Sequence, residues 1–324
     1  MKRKVIFLTN IMRVNAAQKQ RIIQNPELEV VFKHSHELDD ADFEDAVAVI
    51  GNTKPSRLRL FKKLEWIQLY SAGANGYTDE GALQEGVILT NATGSYGVAI
   101  SEHMLAQALM LQKKFHLYLD KQRRQDWSHE PGIIKSIHGS TVAIVGLGDI
   151  GTAFARLVKA LGGYTIGIKR TVYGDEQFVD EAYPITELDQ VLSRADVVAA
   201  SLPSTPETHK LFDGEKFAAM KDGAIFLNVG RGTAVDLEAL CDALESGKLW
   251  GASLDVTDPE PLPKGHRAWD TPNLVITPHV SGNFYLEETF NRFIDIAVEN
   301  LGRFAKGEPL LNEVDFATGY KRRN

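Results

Sequence analysis

The stretch from Val142 to Thr171, VAIVGLGDIGTAFARLVKALGGYTIGIKRT, sets three glycines at G-x-G-x-x-G spacing between an apolar strand and an amphipathic helical run. Gly146 suits a tight turn, Gly148 lets the backbone approach a pyrophosphate, and Gly151 lets the helix pack closely on the sheet. The helix that follows turns its N-terminal N–H groups toward the turn, so Asp149 and Ile150 join the glycines as cofactor-binding candidates. Glycines also mark ordinary turns. Here the strand TVAIV precedes them and the run TAFARLVKAL follows, which commits this part of the chain to a dinucleotide-binding βαβ unit.

Such a unit ordinarily ends its second strand in an acid that accepts hydrogen bonds from the adenosine ribose. Ile168, Lys169, Arg170 and Thr171 hold that place instead. A carboxylate there would repel a 2′-phosphate, whereas two cations and a hydroxyl bind it. Charge-assisted hydrogen bonds are worth roughly 1.5–3 kcal/mol each. The sequence therefore predicts NADP(H) as the preferred cofactor, with NAD(H) as the second choice.

At 324 residues the chain exceeds one ordinary domain and suits two, each able to bury a core. Short apolar runs alternate with longer amphipathic ones, the signature of strands and helices wound into parallel sheets. VIFLTN, EVVFK, AVAVI and EWIQLY read as strands of a first unit that ends in the loop SAGAN. Gly97 to Arg124 reads as one long helix able to bridge two domains. TVAIVGLG, YTIGIK, ADVVAASLP, GAIFLNVG, GASLDV and LVITPHV then supply six strands of a second unit, and LEETFNRFIDIAVENLGRFAKG a final helix. The expected fold class is α/β, with two doubly wound Rossmann-like domains built on parallel sheets.

Composition excludes several functions. The formal charge of −7 argues against broad attraction to nucleic acid or anionic membrane. Local basic runs such as DKQRRQDW and the terminal KRRN read as solvated surface. No run of 18 or more apolar residues appears, so no membrane span is expected. VIFL is too short for a signal peptide and Cys241 is the one cysteine, which together fit a cytoplasmic protein without an intrachain disulfide. Cys241 lies in an amphipathic helical pattern and reads as a buried structural thiol. His34 and His36, at i and i+2, match no metal-site spacing, and no metal is expected.

Three segments end candidate strands with residues able to do chemistry: NVGRGTAVD with Arg231, LDVTDPEPLP with Asp255 and Glu260, and ITPHVSG with His279. Strand C-terminal ends are where open α/β sheets handle ligands. Singly, each residue has a structural explanation, as an Arg in a surface ion pair, a Glu in a proline-rich loop or a His capping a turn. Together, beside a nucleotide turn, they form a catalytic set.

In GLGDIG, SLPSTPETHKLF, NVGRGTAVD, LDVTDPEPLP and ITPHVSG, in that order, the chain resembles the D-isomer-specific 2-hydroxyacid dehydrogenases, which include glyoxylate/hydroxypyruvate reductases and phosphoglycerate dehydrogenases. The resemblance spans nearly the whole chain. It implies Arg231, Glu260 and His279 as the catalytic residues and Asp255 as the acid near the nicotinamide. It also implies Leu202, Pro203, Val229 and Gly230 beside the cofactor, and the amides of Ala72, Gly73 and Ala74 together with Arg231 and His279 on the substrate.

It further implies a discontinuous substrate domain, residues 1–97 with 287–324, a dinucleotide domain of residues 98–286, an active site in the cleft between them, and a homodimer. The expected reaction is reduction of a small 2-keto acid of the glyoxylate or hydroxypyruvate type to the D-2-hydroxy acid. Protonated His279 gives its proton to the keto oxygen, Glu260 orients the ring and stabilises its charge, and Arg231 grips the carboxylate and carbonyl.

Three other functions compete. A phosphoglycerate-type enzyme would use Lys54, Arg57 and Arg59 on a distal phosphate, although the chain ends too soon for the regulatory domain often appended there. A dinucleotide-responsive corepressor-like protein would lack the Arg, Glu or His, all of which are present. A formate-type dehydrogenase would carry glutamine in place of Glu260. Tyr96 is the residue expected to narrow the substrate pocket.

Overall fold

The alternation of strands and helices is present in a computed structural model, which describes residues 2–11, 13–317 and 319–322. Arg323 and Asn324 of the terminal basic run lie outside the described residues. The chain divides into two units, Met1–Tyr96 with Asn283–Asn324, and Gly97–Gly282.

The first unit carries five parallel strands: β1 (Arg3–Leu8), β2 (Leu28–Lys33), β3 (Ala46–Ile50), β4 (Trp66–Gln68) and β5 (Ile88–Thr90), in the order β2-β1-β3-β4-β5. That is the doubly wound order in which the chain reverses direction beside its first strand. The short β5, ILT, is not among the strands expected from the sequence. The helix Glu287–Lys306 belongs to this unit and buries Phe290, Phe293, Ile294, Ala297, Leu301 and Phe304 at helical spacing. Gly307, at φ 71°, ends it in the left-handed conformation that glycine adopts without a Cβ clash.

The second unit carries seven parallel strands: β6 (Thr141–Val145), β7 (Tyr164–Lys169), β8 (Glu181–Pro184), β9 (Val197–Ala200), β10 (Ala224–Asn228), β11 (Leu249–Leu254) and β12 (Leu274–Ile276), in the order β12-β11-β10-β9-β6-β7-β8. Six were expected. The seventh, β8, is an edge strand with sequence EAYP, half-buried and closed by a proline that an edge alone tolerates. The helix Asp149–Ala160 turns Gly151, Phe154, Ala155 and Val158 to the sheet, the i, i+3, i+4, i+7 face of an amphipathic helix. Phe212, Phe217 and Phe226 meet in the core of this unit, with Phe226 centroids 4.8 and 5.4 Å from the other two.

The long helix expected over Gly97–Arg124 is two helices, Gly97–Gln112 and Phe115–Arg123. Between them Lys114 takes φ 60° and is buried. A non-glycine residue pays about 1–2 kcal/mol for that conformation. Its ammonium recovers it by donating to the carbonyls of Pro131 and Gly132, over the ring of Trp250. Those partners lie far along the chain, so periodicity could not reveal the break.

Candidate functional site

Strand register aligns the candidate residues along one edge of the second sheet. Ile168 pairs with Val145, Val145 with Ala200, Ala200 with Asn228, Asn228 with Leu254, and Leu254 with Ile276. All six are at strand C-terminal ends. The loops that leave this row carry, in spatial order, Lys169 to Thr171, the glycine turn, Leu202 and Pro203, Val229 to Arg231, Asp255 with Glu260, and His279.

Adjacent loops touch through bare backbone. A Cβ on Gly146 would lie 2.8 Å from the Ser201 carbonyl oxygen, one on Gly230 2.5 Å from the Leu202 nitrogen, and one on Gly232 2.0 Å from the Thr257 carbonyl oxygen. Side chains at these positions would force the loops apart. Gly148 is different, since nothing lies within 4 Å of the place its Cβ would take. Its bareness answers no neighbour in the chain. It leaves open space at the N-terminus of Asp149–Ala160, a helix whose N-cap, Gly148, offers no side-chain bond to the first N–H groups. A pyrophosphate fits that cradle, where the N-terminal N–H groups and the helix dipole both favour an anion.

At the other end of the row, His279 Nδ1 lies 2.6 Å from Glu260 Oε1. A carboxylate accepts, so Nδ1 carries the proton and Nε2 is the nitrogen left for a ligand. The two side chains are 48% and 44% exposed. A pair so hydrated adds little stability, which leaves orientation of the ring as its physical effect.

Asp255 fixes the backbone beneath that pair. Its Oδ1 accepts from Thr277 Oγ1 (2.6 Å) and the Val280 N–H (3.0 Å), and its Oδ2 from the Ser281 N–H (3.0 Å) and Oγ (2.5 Å). Its carbonyl accepts the His279 N–H at 2.8 Å. Four donors fill the usual capacity of a carboxylate. They hold the turn in which His279 takes φ 51°.

His103, on the helix Gly97–Gln112, places Nε2 3.2 Å from Thr277 Oγ1 and 3.9 Å from Asp255 Oδ1. Burial lowers its pKa, against the smaller pull of Asp255. Sequence reading passes over His103 because it sits mid-helix, away from any strand end.

Arg231 is half-buried and, among the described residues, makes one side-chain hydrogen bond, to the Gly230 carbonyl at 2.8 Å. Among the described residues no carboxylate pairs with it, so the surface ion-pair explanation does not hold. Its backbone is braced by Asn228, whose Nδ2 donates to the Arg231 carbonyl and whose Oδ1 accepts the Gly230 N–H, each at 3.0 Å. Most of the guanidinium fork remains available to an anion.

In the first unit, the loop after β4 spends its carbonyls internally. Asn91 Nδ2 donates to Ala72, Ser71 Oγ to Gly73 and the Tyr77 N–H to Ala74. Among the described residues the N–H groups of Ala72, Gly73 and Ala74 donate no hydrogen bond. Successive unpaired N–H groups form a concavity suited to an anion. Tyr96 is buried instead in the core of this unit, stacked on Phe284 at 5.6 Å, with its hydroxyl donating to the Tyr70 carbonyl.

Where the sequence lacks an acid, the fold supplies one. Lys169 Nζ donates to Glu176 Oε1 at 2.9 Å, from the loop between β7 and β8. Arg170 is exposed and, among the described residues, makes no hydrogen bond or ion pair. Cys241 is buried, and burial pushes its thiol pKa up.

A family model described as D-isomer specific 2-hydroxyacid dehydrogenase, NAD binding domain, matches residues 105–281. The chain is 33% identical to a hydroxypyruvate reductase of Blautia hydrogenotrophica over 82% of this chain and 84% of the relative. Among solved structures, it matches a D-isomer specific 2-hydroxyacid dehydrogenase family protein from Aeromonas salmonicida at 31% identity and a TM-score of 0.83, covering 98% of this chain and 100% of that one. It also matches an NADPH-dependent glyoxylate/hydroxypyruvate reductase from Sinorhizobium meliloti, in complex with NADP and sulfate, at 26% identity and a TM-score of 0.81, over 98% and 100% of the two chains.

The two glycines of the turn should separate in mutation. Gly148→Ala puts its methyl into open space and should keep the wild-type melting temperature while weakening dinucleotide binding roughly tenfold or more. Gly151→Ala puts its Cβ 2.0 Å from the Gly146 carbonyl oxygen. It should cost about 1–3 kcal/mol of stability, read as a lower melting temperature. Equal melting temperatures for both variants would refute this division of roles. Asp255→Asn turns an amide donor toward groups that are themselves donors, and should destabilise by about 1–3 kcal/mol in denaturant titration. An unchanged midpoint would show that the carboxylate does not hold the 277–281 turn.

Proposed function

The chain belongs to the D-isomer specific 2-hydroxyacid dehydrogenase family, and we propose that this member reduces a small 2-keto acid of the glyoxylate or hydroxypyruvate type, with NADP(H) preferred over NAD(H). The family assignment makes it an NAD(P)-dependent oxidoreductase acting between 2-hydroxy and 2-keto acids. The observation that carries the 2-keto acid chemistry is the His279–Glu260 pair, on the same row of strand ends as Arg231, while the glyoxylate or hydroxypyruvate type is supported by the hydroxypyruvate reductase and glyoxylate/hydroxypyruvate reductase relatives.

A nicotinamide dinucleotide held by the glycine turn of Gly146, Gly148 and Gly151 would supply the hydride for the carbonyl carbon. His279, protonated on both nitrogens, delivers the Nε2 proton to the keto oxygen, while Glu260 keeps the ring in line through Nδ1. Arg231 holds the carboxylate and carbonyl oxygens and favours the charge that develops on the latter. The resemblance assigns the amides of Ala72, Gly73 and Ala74 to the substrate carboxylate, and their unpaired N–H groups support it. Asp255 serves the reaction by holding the turn of His279. In oxidation the same residues act in reverse, with neutral His279 accepting the hydroxyl proton.

Arg170, exposed and unpaired among the described residues, supports the NADP(H) preference, as does the NADPH-dependent Sinorhizobium meliloti relative. The single buried cysteine supports a cytoplasmic location. Among the described residues no helix is long and apolar enough to cross a membrane. A homodimer belongs to the same proposal. Phe115, Leu119, Trp127, Ile133 and Ile134 are exposed within one stretch of twenty residues, Trp127 fully, and this concentration of exposed apolar side chains supports an interaction surface there.

His279→Ala should lower turnover by about 10² to 10⁴ while leaving dinucleotide binding near normal. Arg231→Ala should also raise KM, because it loses the grip on the carboxylate. A panel of 2-keto acids assayed with each cofactor checks this, and wild-type turnover in either variant would sink the assignment. Light scattering should report a dimer for the wild type and a shift toward monomer for Trp127→Ser combined with Ile133→Asp. A monomeric wild type would remove the dimer from the proposal.

A further inference from the structure

Glu176 occupies a position that no strand-end reading predicts. Its Oε1 accepts from Lys169 Nζ at 2.9 Å and from the Tyr173 N–H at 2.8 Å, and its Oε2 from the Gly174 N–H at 2.9 Å. The lysine and glutamate side chains are 14% and 4% exposed. Lys169 Nζ also lies 5.1 Å from the centre of the Tyr173 ring. A pocket of about 250 Å³ opens here, lined by Leu147, Thr152, Lys169, Asp175, Glu176 and Gln177. Leu147 and Thr152 flank the glycine turn, so the pocket lies beside that turn and at the end of β7. In a doubly wound sheet that is where the adenosine ribose is received.

From this arrangement we propose that Glu176 is a specificity-determining residue for the dinucleotide: paired with Lys169 inside the ribose pocket, it competes with a 2′-phosphate and holds the chain to a dual cofactor tolerance. The inference rests on the reading of Lys169 and Arg170 as the phosphate-binding cations.

The charges along the pocket wall are one cation, Lys169, and two carboxylates, Asp175 and Glu176. A phosphate entering meets an ammonium already bonded to an anion and must share or displace it, while Arg170, outside the pair and with only the longer-range charge of Glu207 near it, makes no hydrogen bond or ion pair among the described residues that a phosphate must break. A ribose without the phosphate meets no such conflict. Glu176 is anchored by two backbone N–H groups as well as by Lys169, so it does not swing away at little cost. The Tyr173 N–H first, Lys169 next and the Gly174 N–H last hold its carboxyl down at about 2, against the opposing effect of burial. It therefore stays charged across the working pH range, and the competition is not relieved by mild acid.

The test uses the full chain and two adenosine fragments without nicotinamide or substrate, 2′,5′-ADP and 5′-AMP, with affinities measured by calorimetry. Glu176→Gln keeps an oxygen acceptor for the Tyr173 N–H and removes the negative charge. It should tighten 2′,5′-ADP about fivefold, the effect of one unit charge at contact distance in a hydrated pocket, and leave 5′-AMP within about twofold. Adding Lys169→Met should cancel most of the gain, because the liberated ammonium is its source.

Parallel weakening of both fragments, or a lowered melting temperature with no gain for 2′,5′-ADP, would make Glu176 a brace of the 173–176 turn and overturn the inference. Two further variants separate this from the reading beneath it. If Lys169→Met and Arg170→Ala each weaken 2′,5′-ADP while Glu176→Gln gains nothing, the inference alone fails. If neither weakens it, the NADP(H) reading fails and takes the inference with it.

Discussion

The buried carboxylate of Asp255 is the point on which the catalytic edge depends. It draws four donors from a five-residue turn, Thr277 to Ser281, and its own carbonyl takes the N–H of His279. A residue in the left-handed conformation costs free energy, and such a turn persists only where its surroundings over-determine it. Asp255 supplies that surplus. The half-exposed Glu260 then has only to orient a ring whose backbone is already fixed.

The same edge shows why a parallel sheet with bare glycines suits this chemistry. Six strands end on one row, and their loops would crowd one another if each carried a side chain at the point of contact. Gly146, Gly230 and Gly232 remove those side chains where carbonyls and amides of the next loop press closest. Packing is therefore transmitted from the nucleotide turn to the loop that bears Glu260. Arg231, between two of these glycines, gains a rigid base without using its guanidinium as an anchor. Preorganised donors of this kind need no rearrangement as charge develops on a substrate.

At the adenosine end the electrostatics are mixed. Lys169 lies against Glu176, whereas Arg170 is exposed, makes no hydrogen bond or ion pair among the described residues, and feels only the more distant charge of Glu207. Discrimination between a phosphate and a hydroxyl is a difference of affinities, set by repulsive elements as much as by attractive ones. A cation held by a carboxylate is a weaker attractor than the same cation alone, and the chain places one of each side by side.

Much was legible in the order of residues. The glycine spacing and the alternation of apolar runs determined the α/β class and the nucleotide turn, and the placement of Arg231, Asp255, Glu260 and His279 after successive strands put the proposed catalytic residues on one row, because each depends on neighbours within a few residues. Tertiary structure decided the rest. β8 gains strand geometry only by pairing with β7, and its proline is tolerated only because no strand lies beyond it. The break at Lys114 is stabilised by carbonyls seventeen and eighteen residues away. Tyr96 went to the core because Phe284, distant in sequence, offers it a stacking face. The carboxylate that Lys169 meets, Glu176, is brought by a loop rather than by the strand, from a position that no pattern at the end of β7 announces.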